Sequence, residues 1–232
     1  MTNYVFDAPP QASAEIVGTE DRFPIRRIFC VGRNYRAHAY EMGKDPDRDP
    51  PFFFSKPADA YVATGESVAY PSETEDFHHE AELVIAIGKA GKNIPEDAAL
   101  DHIWGYAVGN DLTRRDLQND AKETGRPWDW AKGFDRSACM APIHPVSEVG
   151  HLSQGPVRLT VNDEVRQDAD LKELIWSVPE IIEYLTRSME LRPGDLIYTG
   201  TPAGVGPLVP GDVCTVEIEG LSPLTTTITE RE

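Results

Sequence analysis

The chain has 232 residues, about 40% of them hydrophobic, and its 39 acidic residues against 22 basic ones give a formal net charge of −17. This length fits one large domain with an ordinary apolar core, and the charge excludes a nucleic-acid backbone or an anionic membrane as partner. Cys30, Cys139 and Cys214 are odd in number, scattered and without a CxxC pair, so they read as reduced, partly buried thiols of a cytosolic protein rather than a disulfide framework.

From the N-terminus, residues 1–24 are polar and Pro-rich and are expected to form an arm ahead of a domain over 25–232. MTNYVFDAPPQASAE has no basic stretch leading into an apolar one, so no secretory signal is expected. With no apolar run of membrane-spanning length, the protein is expected to be soluble and cytoplasmic. Arg27 to Gly32 reads as a short buried strand ending in a glycine turn. NYRAHAYEMG gives about two helical turns, with Gly43 suited to the C-terminal cap. Asp45 to Pro51 is a loop, because its prolines and alternating charges cannot continue a helix. With the end of the helix it is expected to act as a lid over Tyr40 to Pro51.

PFFFSKPADAYV returns to strand composition, and strands are predicted over 80–88 and 103–109, the latter running into Asn110-Asp111. Val157 to Val161, Asn162-Asp163 and Val165 predict a hairpin with Asn-Asp at its turn. LKELIWSVPEIIEYLTRSMEL predicts a helix with Ile181, Ile182, Leu185 and Met189 on one face. It carries a Ser177–Glu180 capping box, places Pro179 in its first turn and stops at Arg192-Pro193-Gly194. The last forty residues combine Gly/Pro-rich turns with alternating strands such as CTVEIEG. Many short strands with few helices predict an α+β fold on a mixed, mostly antiparallel sheet.

Glu80 and Glu82, two apart in a predicted strand, face the same side with Cα atoms roughly 7 Å apart. Alone, such a pair is an ordinary solvated strand edge. Asp111, at the end of GYAVGND, adds a third carboxylate at a strand end. Three carboxylates without a Cys or His ligand pattern suit a hard, oxygen-loving ion, Mg²⁺ first and Mn²⁺ or Ca²⁺ behind it. His38 and Glu41 are three apart on a helix and share a face, the arrangement in which a carboxylate orients an imidazole as a general base. Taken singly, that too is a common solvent-exposed pair. Lys132 in DWAKGFD and Lys56 in FFFSKPAD have apolar surroundings that would desolvate an ammonium, and Arg115 and Gln118 follow Asp111 at helical spacing. Thr201 lies in the glycine-rich TGTPAGVGP, which lacks the Gly-Lys-Ser/Thr of a phosphate loop but has free N–H groups for a carboxylate. A non-catalytic Ca²⁺ site is a reading that the acids alone leave open.

Together, VGRNYRAHAYEMG, FFFSKPADA, HHEAELVIAIG, GYAVGNDLTRRDLQ, WAKGFD and GDLIYTGTPAGVGP resemble the fumarylacetoacetate hydrolase family, in the family's order and over most of the chain. The resemblance implies a mixed β-roll with a few short helices, a homodimer, and Mg²⁺ or Mn²⁺ held by Glu80, Glu82 and Asp111. It implies catalysis by His38, Glu41 and Lys132, with Gln118 beside the reacting carbonyl and Arg115 and Thr201 at substrate-contact positions; Lys56, from its apolar setting, is expected as a further substrate contact. The longer hydrolases of the family carry an additional aspartate ligand upstream of the histidine, where IFCV here offers no acid. The chain therefore resembles the short acylpyruvase branch, and its DRDPPFFFSKPADA and PWDWAKGFD stretches resemble bacterial members acting on fumarylpyruvate in gentisate breakdown. The implied activity is metal-dependent hydrolysis of the C–C bond of a 2,4-dioxo acid. Oxaloacetate decarboxylation or isomerisation of a 2-hydroxy-dienoate on the same scaffold are the alternatives.

Overall fold

The computed structural model describes residues 3–41 and 49–231. Its largest sheet has the strand order Phe52–Lys56, Arg27–Gly32, Asp195–Tyr198, Ala81–Ile87, Ile103–Asp111, Ala138–Met140, Tyr61–Ala63, with His144–Pro145 also paired to Ile103–Asp111. A second sheet orders Glu164–Asp170, Pro156–Val161, Val213–Ile218, Leu224–Thr229 and Ser67–Ala69, and a small third one joins Thr113–Arg114, Phe77–His79 and Gly206–Pro207. Among the described residues three strand–strand pairings are parallel and the other strand–strand pairings antiparallel. This is the α+β, mixed and mostly antiparallel arrangement that the strand-rich sequence predicts, in the roll that the resemblance implies. Ser13–Glu15 and Arg22–Pro24 pair as a short hairpin whose Ala14 and Phe23 are buried against the main sheet.

Ala81–Ile87 explains the apolar run LVIAI. Every residue of this strand is buried, because both sheet faces are covered. Leu83, Ile85 and Ile87 point into a core shared with the second sheet (Leu159, Val216) and the helix Val178–Thr186. Val84 and Ala86 point the other way, onto Ile28, Leu196 and Tyr198. The period of two is intact, and only the polar partner positions are missing. The predicted hairpin is present, with Asn162 and Asp163 at φ 52° and 66°, the two left-handed residues of a tight two-residue turn. The three cysteines are free and buried.

One predicted element is shorter than expected. LKELIWSVPEIIEYLTRSMEL is a 3-10 turn at Leu171–Glu173 followed by an α-helix confined to Val178–Thr186. The intervening backbone is drawn to Asn34 instead: Ile175 N donates to Asn34 O (2.7 Å) and Trp176 N to Asn34 Oδ1 (2.7 Å). Pro179 also has no N–H to bond the Ile175 carbonyl, so a helix cannot run on through it from upstream. The capping box forms, with Ser177 N and Oγ donating to Glu180 Oε2 at 2.9 and 2.8 Å. Ile181, Ile182 and Leu185 are buried, but Met189 lies past the helix end and is 43% exposed. The helix therefore stops well before Arg192-Pro193-Gly194.

Candidate active site

Glu80 does not lie within a continuous strand. The chain leaves the small sheet after Phe77–His79 and enters the main sheet at Ala81, and Glu80 is the step between them. Its backbone is nevertheless satisfied, because its N–H donates to Asn110 Oδ1 (2.9 Å) and its carbonyl accepts from Asp111 N (2.9 Å). That exchange ties the step to the end of strand Ile103–Asp111, where Asp111 sits. One strand further in, Glu82 Oε2 accepts from Gly200 N (2.7 Å), the first turn after strand Asp195–Tyr198. Three neighbouring sheet positions thus aim Glu80, Glu82 and Asp111 inward, all buried, with carboxylate oxygens within 4.8 Å of one another.

Cations hold this cluster together. Lys132, on the short helix Asp129–Lys132, bridges Glu80 Oε2 (2.7 Å) and Asp111 Oδ2 (2.8 Å). Arg115, at the start of the helix Arg115–Thr124, pairs with Glu80 Oε1 and donates to Gln118 Oε1 (2.6 Å). Burial opposes charge on Glu80, but Lys132 and Arg115 outweigh it and hold its carboxyl far below the usual range. Burial likewise opposes the Lys132 ammonium, and Asp111 and Glu80 more than restore it. Glu82 is pushed the other way, upward, by burial and then by Asp111 and Glu80, because its own close partner is the neutral Gly200 N–H.

This donor set fits a divalent cation. It is all oxygen, spans one ion's reach and, among the described residues, leaves Glu82 without a cation in salt-bridge contact. Asp111 Oδ1 is also buried without an aligned hydrogen bond, although Lys56 Nζ stands 2.8 Å away. Glu80, Glu82 and Asp111 are the residues that would hold such an ion.

His38 and Glu41 face each other on the helix Arg36–Glu41, Nδ1 to Oε2 at 3.0 Å. A carboxylate only accepts, so Nδ1 carries the proton and Nε2 is the basic nitrogen. Glu41 is held in turn by Gly204 N, at 3.1 and 3.3 Å from its two oxygens. The hydrogen bond from His38 lowers its pKa first; burial opposes, and Gly204 N lowers it further. Gly204 cannot be another residue, since its φ is +93° and a Cβ would lie 2.1 Å from Arg166 O.

A cleft of about 380 Å³ opens over these groups. All ten residues expected at the site line it except Glu41, Asp111 and Lys56. Glu41 backs His38, and Asp111 backs Lys132. Lys56, expected to touch substrate, stands further back, donating to Leu112 O (3.0 Å) and Lys132 O beside Asp111. Trp128 lines the cleft, whereas Trp130 is 74% exposed and does not. The predicted lid falls mostly on residues 42–48, which lie outside the described residues.

Sequence reasoning missed Gln167. Its Oε1 accepts from Ala81 N (3.0 Å) and His79 Nδ1 (3.2 Å), and its Nε2 donates to Thr201 Oγ1 and Pro202 O, both at 2.8 Å. With its acceptor role filled by Gln167, the Thr201 hydroxyl keeps its proton for the cleft it lines. No local signal marks Gln167 in the polar strand EVRQDAD, as every partner is at least 34 residues away. Gly200 and Gly204 were missed for a related reason, since they act through backbone N–H groups. Arg33, in the VGRNYRAHAYEMG stretch, and Lys122 also line the cleft, and sequence reasoning gave neither a role.

Comparison with known proteins matches residues 27–229 to the Fumarylacetoacetate (FAA) hydrolase C-terminal family. Fumarylpyruvate hydrolase of Ralstonia sp is 43% identical over 189 residues, covering 81% of this chain and 98% of that protein. The mitochondrial oxaloacetate decarboxylase of Dictyostelium discoideum is 40% identical over 197 residues, covering 84% and 90%. The crystal structure of fumarylpyruvate hydrolase from Pseudomonas aeruginosa in complex with Mn²⁺ and pyruvate matches with a TM-score of 0.97 at 52% identity, covering 99% of this chain and 100% of that one.

Proposed function

The chain belongs to the fumarylacetoacetate hydrolase C-terminal family, and on that premise we propose that it hydrolyses the C–C bond of an acylpyruvate, with fumarylpyruvate as substrate and fumarate and pyruvate as products. The observation that carries the reading is one cleft in which an oriented imidazole, a buried lysine and three converging carboxylates meet. The neighbour that holds Mn²⁺ and pyruvate, the second of these products, supports it. A divalent ion, Mg²⁺ or Mn²⁺, held by Glu80, Glu82 and Asp111 supplies Lewis-acid charge for the 2-oxo acid end.

Around it, His38 Nε2 takes the proton of a water that attacks the 4-carbonyl, and Glu41 holds the ring and stabilises the imidazolium. Lys132 and the Gln118 amide, whose oxygen is occupied by Arg115, donate to the oxyanion that forms. Collapse breaks C3–C4, and the acyl fragment leaves as a carboxylic acid with the water's oxygen. The electron pair passes to C3, which takes a proton to complete pyruvate. Arg115 and the Thr201 hydroxyl bind and orient, and Lys56 serves by holding Asp111. The machinery lies within 25–232, with 1–24 as an arm ahead of it. The reading extends to a cytoplasmic homodimer acting in aromatic breakdown.

With Mn²⁺ present, the protein should consume fumarylpyruvate, read as loss of enol absorbance with release of pyruvate. His38→Ala should lower kcat by about 10²–10⁴-fold while retaining Mn²⁺. The resemblance to an oxaloacetate decarboxylase supports a second reading. That reaction needs no attacking water, so turnover of oxaloacetate alone, undiminished in His38→Ala, would put it first.

A further inference from the structure

The mouth of the cleft is built unlike its floor. Gly32 has no side chain because the Phe52 ring occupies that space, 2.2 Å from where a Cβ would stand. The next residue, Arg33, takes the left-handed conformation (φ 56°), and its guanidinium lies over the same Phe52 ring, 5.3 Å from its centre. Phe52 meets Trp128 edge-on at 5.2 Å, and Trp128 also packs against Phe54 at 5.7 Å. On the other side of Trp128, Lys122 Nζ stands 5.4 Å from its ring. Lys122 follows Arg115 and Gln118 at positions i+7 and i+4, so all three share the helix face that lines the cleft.

The two cations at the rim are unbalanced. Among the described residues, neither Arg33 nor Lys122 pairs with a carboxylate; each rests on an aromatic face. A chain with 39 acidic and 22 basic residues could have neutralised them at little expense. Burial, then Arg115, Lys132 and Arg33, press the Lys122 ammonium downward against the pull of Glu80. They share one positive field at the cleft mouth. A left-handed backbone at a non-glycine residue is likewise a conformation the surroundings must enforce.

We propose that Arg33 and Lys122 form the subsite for a second carboxylate, so that the enzyme selects acylpyruvates whose acyl group itself ends in an acid. The inference rests on the acylpyruvate reading and names its specificity. One end of the substrate, the 2-oxo acid, lies at the carboxylate floor, where Glu80, Glu82 and Asp111 converge. The other end meets two cations that no acid among the described residues satisfies. Between them Phe54 and Trp128, which line the cleft, offer flat faces to a conjugated, planar acyl chain, which stacks without needing hydrogen bonds. A neutral acyl group would leave both cations unanswered.

The test compares fumarylpyruvate with its methyl ester at the fumaryl carboxylate, using Mn²⁺-loaded wild type, Arg33→Gln and Lys122→Gln. Each substitution should lower kcat/KM for the diacid roughly 10–100-fold, the loss expected for one charge-assisted hydrogen bond, with an effect at least tenfold smaller on the ester. Equal losses on both substrates, or no loss on either, overturn the subsite. Wild-type hydrolysis that does not distinguish diacid from ester also overturns it and leaves the hydrolase reading standing. If wild type consumes neither, the hydrolase reading falls, and calorimetry with fumarate and its monomethyl ester decides the subsite. Diacid binding that weakens in Lys122→Gln supports it, and diacid binding equal in wild type and variant overturns it.

Discussion

Lys122 titrates below an ordinary lysine, and this gives the rim a pH signature. Burial and the charges of Arg115, Lys132 and Arg33, against the attraction of Glu80, bring its pKa down to about 8. The ammonium is therefore intact below that pH and lost as pH rises through it, and with it half of the positive charge facing the distal carboxylate. Because kcat/KM reports groups of the free enzyme, its profile for fumarylpyruvate should bend downward above about pH 8. The bend should vanish in Lys122→Gln and move to higher pH in Lys122→Arg, whose guanidinium stays charged. An identical bend in Lys122→Gln would assign it elsewhere. At this scale the sequence offered the acids, the dyad and Lys132 as candidates through a third carboxylate and a family resemblance, not through any one spacing, and the structure brings them together. The sequence did not reveal Arg33 and Lys122, since a cation's lack of a partner is visible only once the neighbours are placed.

Among the elements, the junctions carry the site. Glu80 is a step between two sheets, Gly200 and Gly204 are turn residues, and Gln167 reaches from the second sheet to both. Gln167→Leu would leave Ala81 N–H, the Pro202 carbonyl and His79 Nδ1 without their partner in a buried place. That should lower stability by about 2–4 kcal/mol, read from chemical unfolding of the metal-free protein. It should also raise KM more than it lowers kcat, as Thr201 loses the bond that aims its hydroxyl. A KM unchanged beside a lowered stability would limit Gln167 to a structural role. The central strands were legible as short apolar runs and Val213–Ile218 by its alternation, and the Asn162-Asp163 turn was legible as well. The ends of elements were less so. Asn34 captures the backbone at Ile175 and Trp176 from over 140 residues away, which no local pattern announces. The Glu80 step is hidden likewise, because its ladder partner is replaced by the Asn110 side chain.

For the molecule as a whole, the cluster of Glu80, Glu82 and Asp111 sits beside Lys132, Arg115 and Lys56, so its charge is largely balanced by the protein itself. Removing the divalent ion with EDTA should abolish turnover yet leave one cooperative unfolding transition. Added Mn²⁺ should raise the midpoint by linkage, equivalent to about 2.7 kcal/mol at a hundredfold excess over Kd. Loss of the folded baseline in EDTA would instead make the ion part of the scaffold. The α+β roll was foreseeable from strand count and helix scarcity. The order of its strands was not, because pairing between distant segments leaves no mark on either one alone.

That order has a consequence for how the protein is made. Asp195–Tyr198 is inserted between Arg27–Gly32 and Ala81–Ile87, parallel to the first and antiparallel to the second. On the ribosome, both older strands wait with an unpaired edge until nearly two hundred residues have been synthesised. Gly200 and Gly204, which hold Glu82 and Glu41, emerge just behind the late strand. A nascent or prematurely terminated chain therefore has every acid of the cluster but no assembled site, and it exposes two sticky sheet edges. Keystone insertion makes completion of the chain a precondition both for catalysis and for escape from aggregation.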